Sequence, residues 1–269
     1  MKFDLHTHHY RCGHADGTIE QYIQAGIDAG LQAIGISDHS PFFAHKDEQP
    51  FPKIAMARSE LKNYVDEVLR LKAKYEGKID VLLGMESDYF PDHIEVYRQA
   101  YAPYPFDYLI GSVHKTRGVS IFNRNRWKSL DAEQQIDEKR HYYELIAQSA
   151  RTGLFHILGH IDAMKGYYPA FADIAADDAV DEALRVIAEC GVAIEINTSG
   201  KTKDVGGWYP SDAMLERACH FGVDVTFGSD SHVPSRVGDD WELVQQRLKE
   251  IGFRHWVYFK NKERITVGL

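Results

Sequence analysis

The sequence predicts an α/β fold in which parallel βα units close into a seven-stranded barrel, and three observations predict it. Seven short apolar runs rich in β-branched residues alternate with longer segments of helical period. No linker rich in Ser, Pro or Gly divides the 269 residues. That length exceeds the roughly 100 to 200 residues of a usual domain but suits one α/β barrel, for which about 200 to 250 or more is ordinary. Successive βα units without an antiparallel break imply a parallel sheet, and at this length a closed barrel is favoured over an open sheet. Residues 1–269 are therefore expected to form one domain.

The expected strands are Lys2–His6, Ala33–Ser37, Asp80–Glu86, Tyr108–Val113, His156–Gly159, Val192–Asn197 and Asp224–Gly228. Their helices are expected over Ile19–Ala29, Met56–Tyr75, His93–Ala100, Gln134–Arg151, Asp178–Cys190, Ser211–Phe221 and Asp240–Ile251. Thr18 with Gln21 has capping-box spacing, and Pro210-Ser211 suits a helix entry. Gly191 and Gly222 fall just past helical runs, where a left-handed residue ends a helix at least cost. Three loop-like insertions, Phe42–Lys53, Arg117–Asp131 and Lys165–Asp173, follow strands two, four and five, all at one end of the expected barrel.

Composition narrows the function classes. A formal charge of -9 disfavours a broad basic surface for nucleic acid, so an anionic ligand needs a local source of positive charge. With 44% hydrophobic and 26% charged residues the chain is that of a soluble globular protein with a sizeable core. Cys12, Cys190 and Cys219 are an odd number without a Cys-x-x-Cys pair, which argues against a disulfide scaffold or a cysteine-based zinc module and for a reducing cytoplasm. Neither an apolar leader nor a run of about 20 apolar residues is present, so neither secretion nor membrane insertion is expected.

The fourteen histidines are the unusual feature. Active sites of parallel βα barrels form at the C-terminal ends of the strands. Here those ends read His6-Thr7-His8, Ser37-Asp38-His39, Gly84-Met85-Glu86, Ser112-Val113-His114, Gly159-His160-Ile161-Asp162 and Gly228-Ser229-Asp230-Ser231-His232. Any one histidine at a strand end is most simply a hydrogen-bonded structural residue, but six of the seven ends carrying a ligand-type side chain do not fit that reading. Residues two apart on a strand share a face, so His6 with His8 can meet one ion. Imidazoles with two carboxylates suit Zn, Mn or Fe, whereas Ca and Mg prefer oxygen ligands throughout.

Jointly these segments, with the Cys12-Gly13-His14-Ala15 loop, resemble the polymerase and histidinol phosphatase (PHP) superfamily, and more narrowly its monofunctional histidinol-phosphatase branch. The resemblance runs from His6 to beyond His232 and implies a distorted seven-stranded (β/α) barrel. It implies three divalent ions: the first on His6, His8, Glu86 and Asp230, the second on Glu86, His114 and His160, the third on His14, His39 and His232. The implied reaction is hydrolysis of L-histidinol phosphate to L-histidinol and inorganic phosphate, a late step of L-histidine biosynthesis. Three divalent ions outweigh the two ligating carboxylates, leaving the site positive, and a hydroxide shared by two of them would attack phosphorus in line without a phosphoenzyme. Asp230, Glu86 and His232 are the expected catalytic residues, with Asp230 also able to accept the proton.

Lys165 and Lys203 are the favoured phosphate contacts, with Lys115, Lys201 and Arg236 as further candidates. Lysine keeps the charge of the arginine common in that branch but not its bidentate geometry. Asp88, two residues past Glu86, and Glu195 are candidate partners for the substrate's amine and imidazole. The competing enzyme reading is a PHP phosphoesterase acting on a nucleotide, phosphotyrosine or nucleic-acid end. Net charge and the lack of an attached polymerase or strand-binding segment disfavour nucleic acid. A metal-storage domain would use a closed set of four ligands without a bridging carboxylate.

Overall fold

A computed structural model describes residues 1–269. Its strands, in chain order, are β1 (Phe3–Asp4), β2 (Ala33–Ile36), β3 (Asp80–Leu83), β4 (Glu86–Asp88), β5 (Ile110–Ser112), β6 (Lys115–Thr116), β7 (Val119–Ser120), β8 (Ile157–Leu158), β9 (Ala193–Asn197), β10 (Val225–Gly228), β11 (His255–Lys260) and β12 (Glu263–Gly268). Two parallel arcs, β1-β2-β3 and β10-β9-β8-β5-β4, carry the fold, and the two antiparallel hairpins β6-β7 and β11-β12 stand outside them. The arcs meet where the Leu5 amide donates to the Phe227 carbonyl at 3.1 Å and where Thr7 bridges Ser231. On the other side His39 bridges Glu86.

The third expected strand, Asp80–Glu86, is corrected to two pieces separated by Gly84-Met85. Tyr108 and Tyr64 account for the break. The Tyr108 ring fills the space beside Gly84, where a Cβ would stand 2.5 Å from its Cζ. The Tyr64 hydroxyl lies 2.7 Å from both the Ile36 and the Gly84 carbonyls, in the gap between β2 and β3. Beyond the break the Glu86 amide donates instead to Ser37 and Asp38 carbonyls, at 3.0 and 3.2 Å, which swings Glu86 over the strand ends.

The helices are α1 (Ile19–Asp28), α2 (Glu60–Lys74), α3 (Ile94–Tyr101), α4 (Ala132–Arg151), α5 (Asp177–Cys190), α6 (Asp212–Phe221) and α7 (Trp241–Ile251). The Thr18–Gln21 capping box forms as expected, and Asp131 with Gln134 makes a second. Helix α2 starts at Glu60 rather than Met56 because Arg58 is held in the preceding loop by Glu48 and the carbonyls of His45 and Lys46. Each helix buries one apolar stripe against the sheet, as Tyr22 and Ile23 do in α1 and Val180, Leu184 and Ile187 in α5.

The β11-β12 hairpin was not anticipated, although two β-rich runs flank Asn261-Lys262, both of which adopt positive φ. It packs at the N-terminal ends of the strands: Asn261 and Lys262 amides donate to Asp107, ahead of β5, and Lys260 pairs with Asp80, at the start of β3. Fully buried Trp256 stacks near Phe3 (5.0 Å) and Trp241 (4.7 Å). Trp256→Ala is expected to cost about 3–5 kcal/mol of unfolding free energy in urea denaturation. Titration of the folded variant with zinc should match that of the unaltered protein, because the hairpin lies at the end of the sheet opposite the expected ligands His6, His8, His39, His114 and His160.

Candidate metal centre

The strand ends bring the histidines together around one carboxylate. Glu86 Oε2 lies 2.8 Å from His39 Nδ1, 3.4 Å from His6 Nε2 and 3.6 Å from His8 Nε2. Its Oε1 lies 3.1 Å from His160 Nε2 and 3.4 Å from His114 Nε2. Asp230 Oδ1 reaches His8 Nε2 at 3.0 Å and His6 Nε2 at 3.8 Å. Three compact groups result: His6, His8 and Glu86; Glu86, His114 and His160; and His8, His39 and His232. His14 stands beside the last, its Nε2 3.0 Å from His232 Nε2.

Local chemistry aims these side chains. The loop after β1 turns at Gly13, whose φ is +82° and where a Cβ would sit 1.9 Å from the Pro52 carbonyl oxygen; this close packing holds His14 toward the centre. His160 and Asp230 adopt positive φ, 29° and 50°, a conformation that costs side-chain-bearing residues energy and persists only where surrounding contacts enforce it. Asp230 is held by Ser199 Oγ (2.9 Å) and Asn197 Nδ2 (3.2 Å), both donating to Oδ2. Carboxylates also occupy the far nitrogen of three imidazoles: Glu195 on His6 Nδ1 (2.8 Å), Asp38 on His8 Nδ1 (3.2 Å) and Asp88 on His114 Nδ1 (2.5 Å).

The donor set fits transition metals. His6 Nε2, His8 Nε2 and Glu86 Oε2 are buried and make no aligned hydrogen bond despite their close neighbours, an arrangement costly unless something else satisfies them. Their 3.4 and 3.6 Å separations match the roughly 3.4 Å between tetrahedral ligands that each bond zinc at about 2.1 Å. Burial and its imidazole neighbours push His14 down to about 4 and His232 to about 3, so both are neutral, the ligating form, at pH 7. Burial also lowers His8 and His114, but Asp230 and Asp38 outweigh it at His8 and Asp88 and Glu86 at His114, lifting each to about 9. Burial disfavours the charged forms of Glu86 and Asp230, yet the surrounding imidazoles hold both well below the usual carboxylate range.

The centre floors a cavity of about 510 Å³. Lys203 and Arg236 line it, and Lys115 with Asp88 lines an adjoining recess that shares His14, His39, Glu86 and His114. One expected substrate contact is not brought to the cavity. Lys165 is buried with its ammonium 2.7 Å from Asp162, and it lines a separate groove; the short turn Ala163–Gly166 carries it there. Asp88 is already engaged by His114. Glu195 is buried and lines neither cavity. Lys201 pairs with Asp239 and Asp240. Sequence reasoning passed over Phe122, Tyr167, Ser199 and Tyr209, all on the cavity wall; the first two lie in insertions after expected strands four and five, which was the available signal.

A family model described as PHP domain matches residues 4–199. A probable histidinol-phosphatase of Deinococcus radiodurans is 32% identical over 94% of this chain and 96% of its own. The histidinol-phosphatase of Bacillus subtilis is 30% identical over 92% of this chain and 99% of its own. Among solved structures, the histidinol phosphate phosphatase of Lactococcus lactis subsp. lactis, complexed with zinc, L-histidinol and phosphate, has a TM-score of 0.80 at 20% identity, covering 98% of both chains. At that identity the likeness shows a shared α/β fold.

Because His8 and His114 titrate near 9, both carry a proton at pH 7 that ligation must displace, whereas His14 and His232 have none to lose. Zinc loading at pH 7 should therefore release about two protons or more per chain. Calorimetric titration in buffers of differing ionisation enthalpy measures this, and binding should weaken as pH falls from 7. Loading without proton release would show that these two rings are neutral before the ion binds and overturn their raised affinity for protons.

Proposed function

We propose that this chain, which belongs to the PHP domain family, hydrolyses L-histidinol phosphate to L-histidinol and inorganic phosphate. The observation that carries the reading is the convergence of seven imidazoles and two carboxylates on the floor of a cavity whose wall bears Lys203 and Arg236. Full-length similarity to histidinol-phosphatases supports the choice of ester. The backbone bridges Thr7–Ser231 and His39–Glu86 support treating the two arcs as one distorted seven-stranded barrel, and one continuous core supports a single domain. Three unpaired cysteines support a reducing cytoplasm.

His6, His8, Glu86 and Asp230 would hold one divalent ion, Glu86, His114 and His160 a second, and His14, His39 and His232 a third, with Zn, Mn or Fe suiting the donors. Bound there, such ions neutralise phosphate charge and acidify the attacking water. Lys203 and Arg236 meet the dianionic phosphate from the cavity wall; Arg236 is kept in place by Asp239 at 2.9 Å. Asp230 Oδ2 is occupied by Ser199 and Asn197, which leaves Oδ1 facing the centre as the atom placed to take the water's proton. Phe122, Tyr167 and Tyr209 form the apolar part of the wall, which excludes bulk water and offers flat surfaces to the leaving group.

Phosphate release by the metal-loaded protein should favour L-histidinol phosphate by several orders of magnitude over phosphotyrosine, a nucleoside monophosphate and a bis-ester, and EDTA should abolish it. A preference for another ester would move the protein to a different activity on the same centre. Lys203→Ala should raise KM about tenfold with a smaller effect on kcat, and unchanged kinetics would retire Lys203 as a phosphate contact. His14→Ala should lower turnover and the number of zinc ions retained while leaving the unfolding midpoint of the metal-free protein nearly unchanged.

A further inference from the structure

Strand β9 supplies no candidate ligand, yet two of its residues, Glu195 and Asn197, reach three ligand candidates that stand just past the ends of β1, β8 and β10. They sit two apart and so share a face. Glu195 is buried with no Lys or Arg beside it, and such a carboxylate is tolerated only when hydrogen-bonded. Its Oε1 accepts from the His160 amide at 2.9 Å and from Asn197 Nδ2 at 2.7 Å. Its Oε2 lies 2.8 Å from His6 Nδ1. Asn197 Nδ2 also reaches Asp230 Oδ2, at 3.2 Å. The neighbouring strand leaves room for this: a Cβ on Gly228 would stand 2.5 Å from Glu195 Oε2 and 2.6 Å from His6 Cβ.

We infer that Glu195 is a positioning residue of the metal centre, fixing His6 in the tautomer that ligates and, through Asn197, bracing Asp230. A carboxylate only accepts hydrogen bonds, so the proton of His6 stands on Nδ1. The lone pair is then on Nε2, the atom that points at Glu86 and Asp230 and is buried without a hydrogen-bond partner. A role for Glu195 in binding the substrate's amine does not survive this geometry, because Oε1 and Oε2 are both engaged and neither cavity touches the residue. The inference rests on the metal-centre reading above.

Glu195→Gln tests it with almost no change of shape. Two donors, the His160 amide and Asn197 Nδ2, face the Oε1 position, so the amide oxygen must stay there and the NH2 must face His6. His6 Nδ1 then has to accept, which puts its proton on Nε2 and removes the lone pair from the centre. The folded variant is expected to bind zinc about 10- to 100-fold more weakly in chelator competition, with KM values for L-histidinol phosphate and p-nitrophenyl phosphate moving together. Wild-type zinc affinity with a KM rise for L-histidinol phosphate alone would overturn the inference and restore the amine-binding role. Should E195Q not fold, the nitrogen resonances of His6 in the zinc-loaded wild type decide: a proton on Nδ1 and metal on Nε2 is expected, and the reverse overturns the inference. Asn197→Ala should weaken zinc about 3- to 10-fold by freeing Asp230, and an unchanged affinity would remove that part of the relay. Wild-type protein that holds no zinc at all would instead refute the metal-centre reading.

Discussion

Everything at the strand ends depends on Glu86, a carboxylate buried among five imidazoles at 2.8 to 3.6 Å. No continuous third strand would bring it there. The break at Gly84-Met85, with Tyr108 beside Gly84 and Tyr64 over the carbonyls of Ile36 and Gly84, frees Glu86 from the β3 ladder and hangs its amide on the loop after β2. A defect in the sheet is thus what lets one side chain face ligands from β1, β2, β5 and β8 together. Its burial disfavours the charge, and the imidazoles that restore the charge are the same ones that would share an ion with it.

Counting only Glu86 and Asp230 against three divalent ions leaves a strongly positive site, as the sequence reading had it. Asp38, Asp88 and Glu195, each on the far nitrogen of an imidazole, change that balance. Five buried or nearly buried carboxylates offset most of the positive charge of three divalent ions. Attraction for a phosphate dianion would then rely on where the charges sit: Asp38 and Glu195 lie behind the histidines, while Lys203 and Arg236 line the cavity wall above Glu86 and Asp230. On the proposed function, an acidic chain would meet an anion through these two wall cations and the ions its floor would hold, with Asp38 and Glu195 kept off the cavity surface.

Period and end chemistry made most of this legible from the sequence. The seven helices fall within a few residues of their expected places, because amphipathic stripes, the Thr18–Gln21 box and glycines such as Gly191 and Gly222 mark them locally. Eight of the nine ligand candidates were legible as a histidine or acid at or just past an apolar run, while His14, in a loop, was reached only through the family resemblance. What was not legible depends on non-local contact. The split of β3 follows from Tyr108 and Tyr64, distant in sequence from Gly84. Lys165 has the right position in sequence but the wrong neighbour, Asp162, two residues past His160. Asp88 and Glu195 have the right charge for a substrate amine but each is engaged by the Nδ1 of a histidine, and no spacing rule tells the front of an imidazole from its back.

The division of labour between strands and loops follows from the same geometry. Eight of the nine ligand candidates stand on strands or within four residues of a strand end, and even the strained backbone of His160 and Asp230 is braced by β9 through Glu195, Asn197 and Ser199. Much of the cavity wall comes from loops: Phe122 and Tyr167 stand on two of the insertions and Lys203 on the loop after β9. These loops are tied to one another, since Arg124 pairs with Asp204 and lays its guanidinium 4.1 Å from the Tyr167 ring. Such exposed ion pairs add little stability, about 0 to 1 kcal/mol, so the wall can vary without loosening the floor. On the proposed function, the strands would supply the chemistry at the phosphate and the tied loops the surface that meets the leaving alcohol.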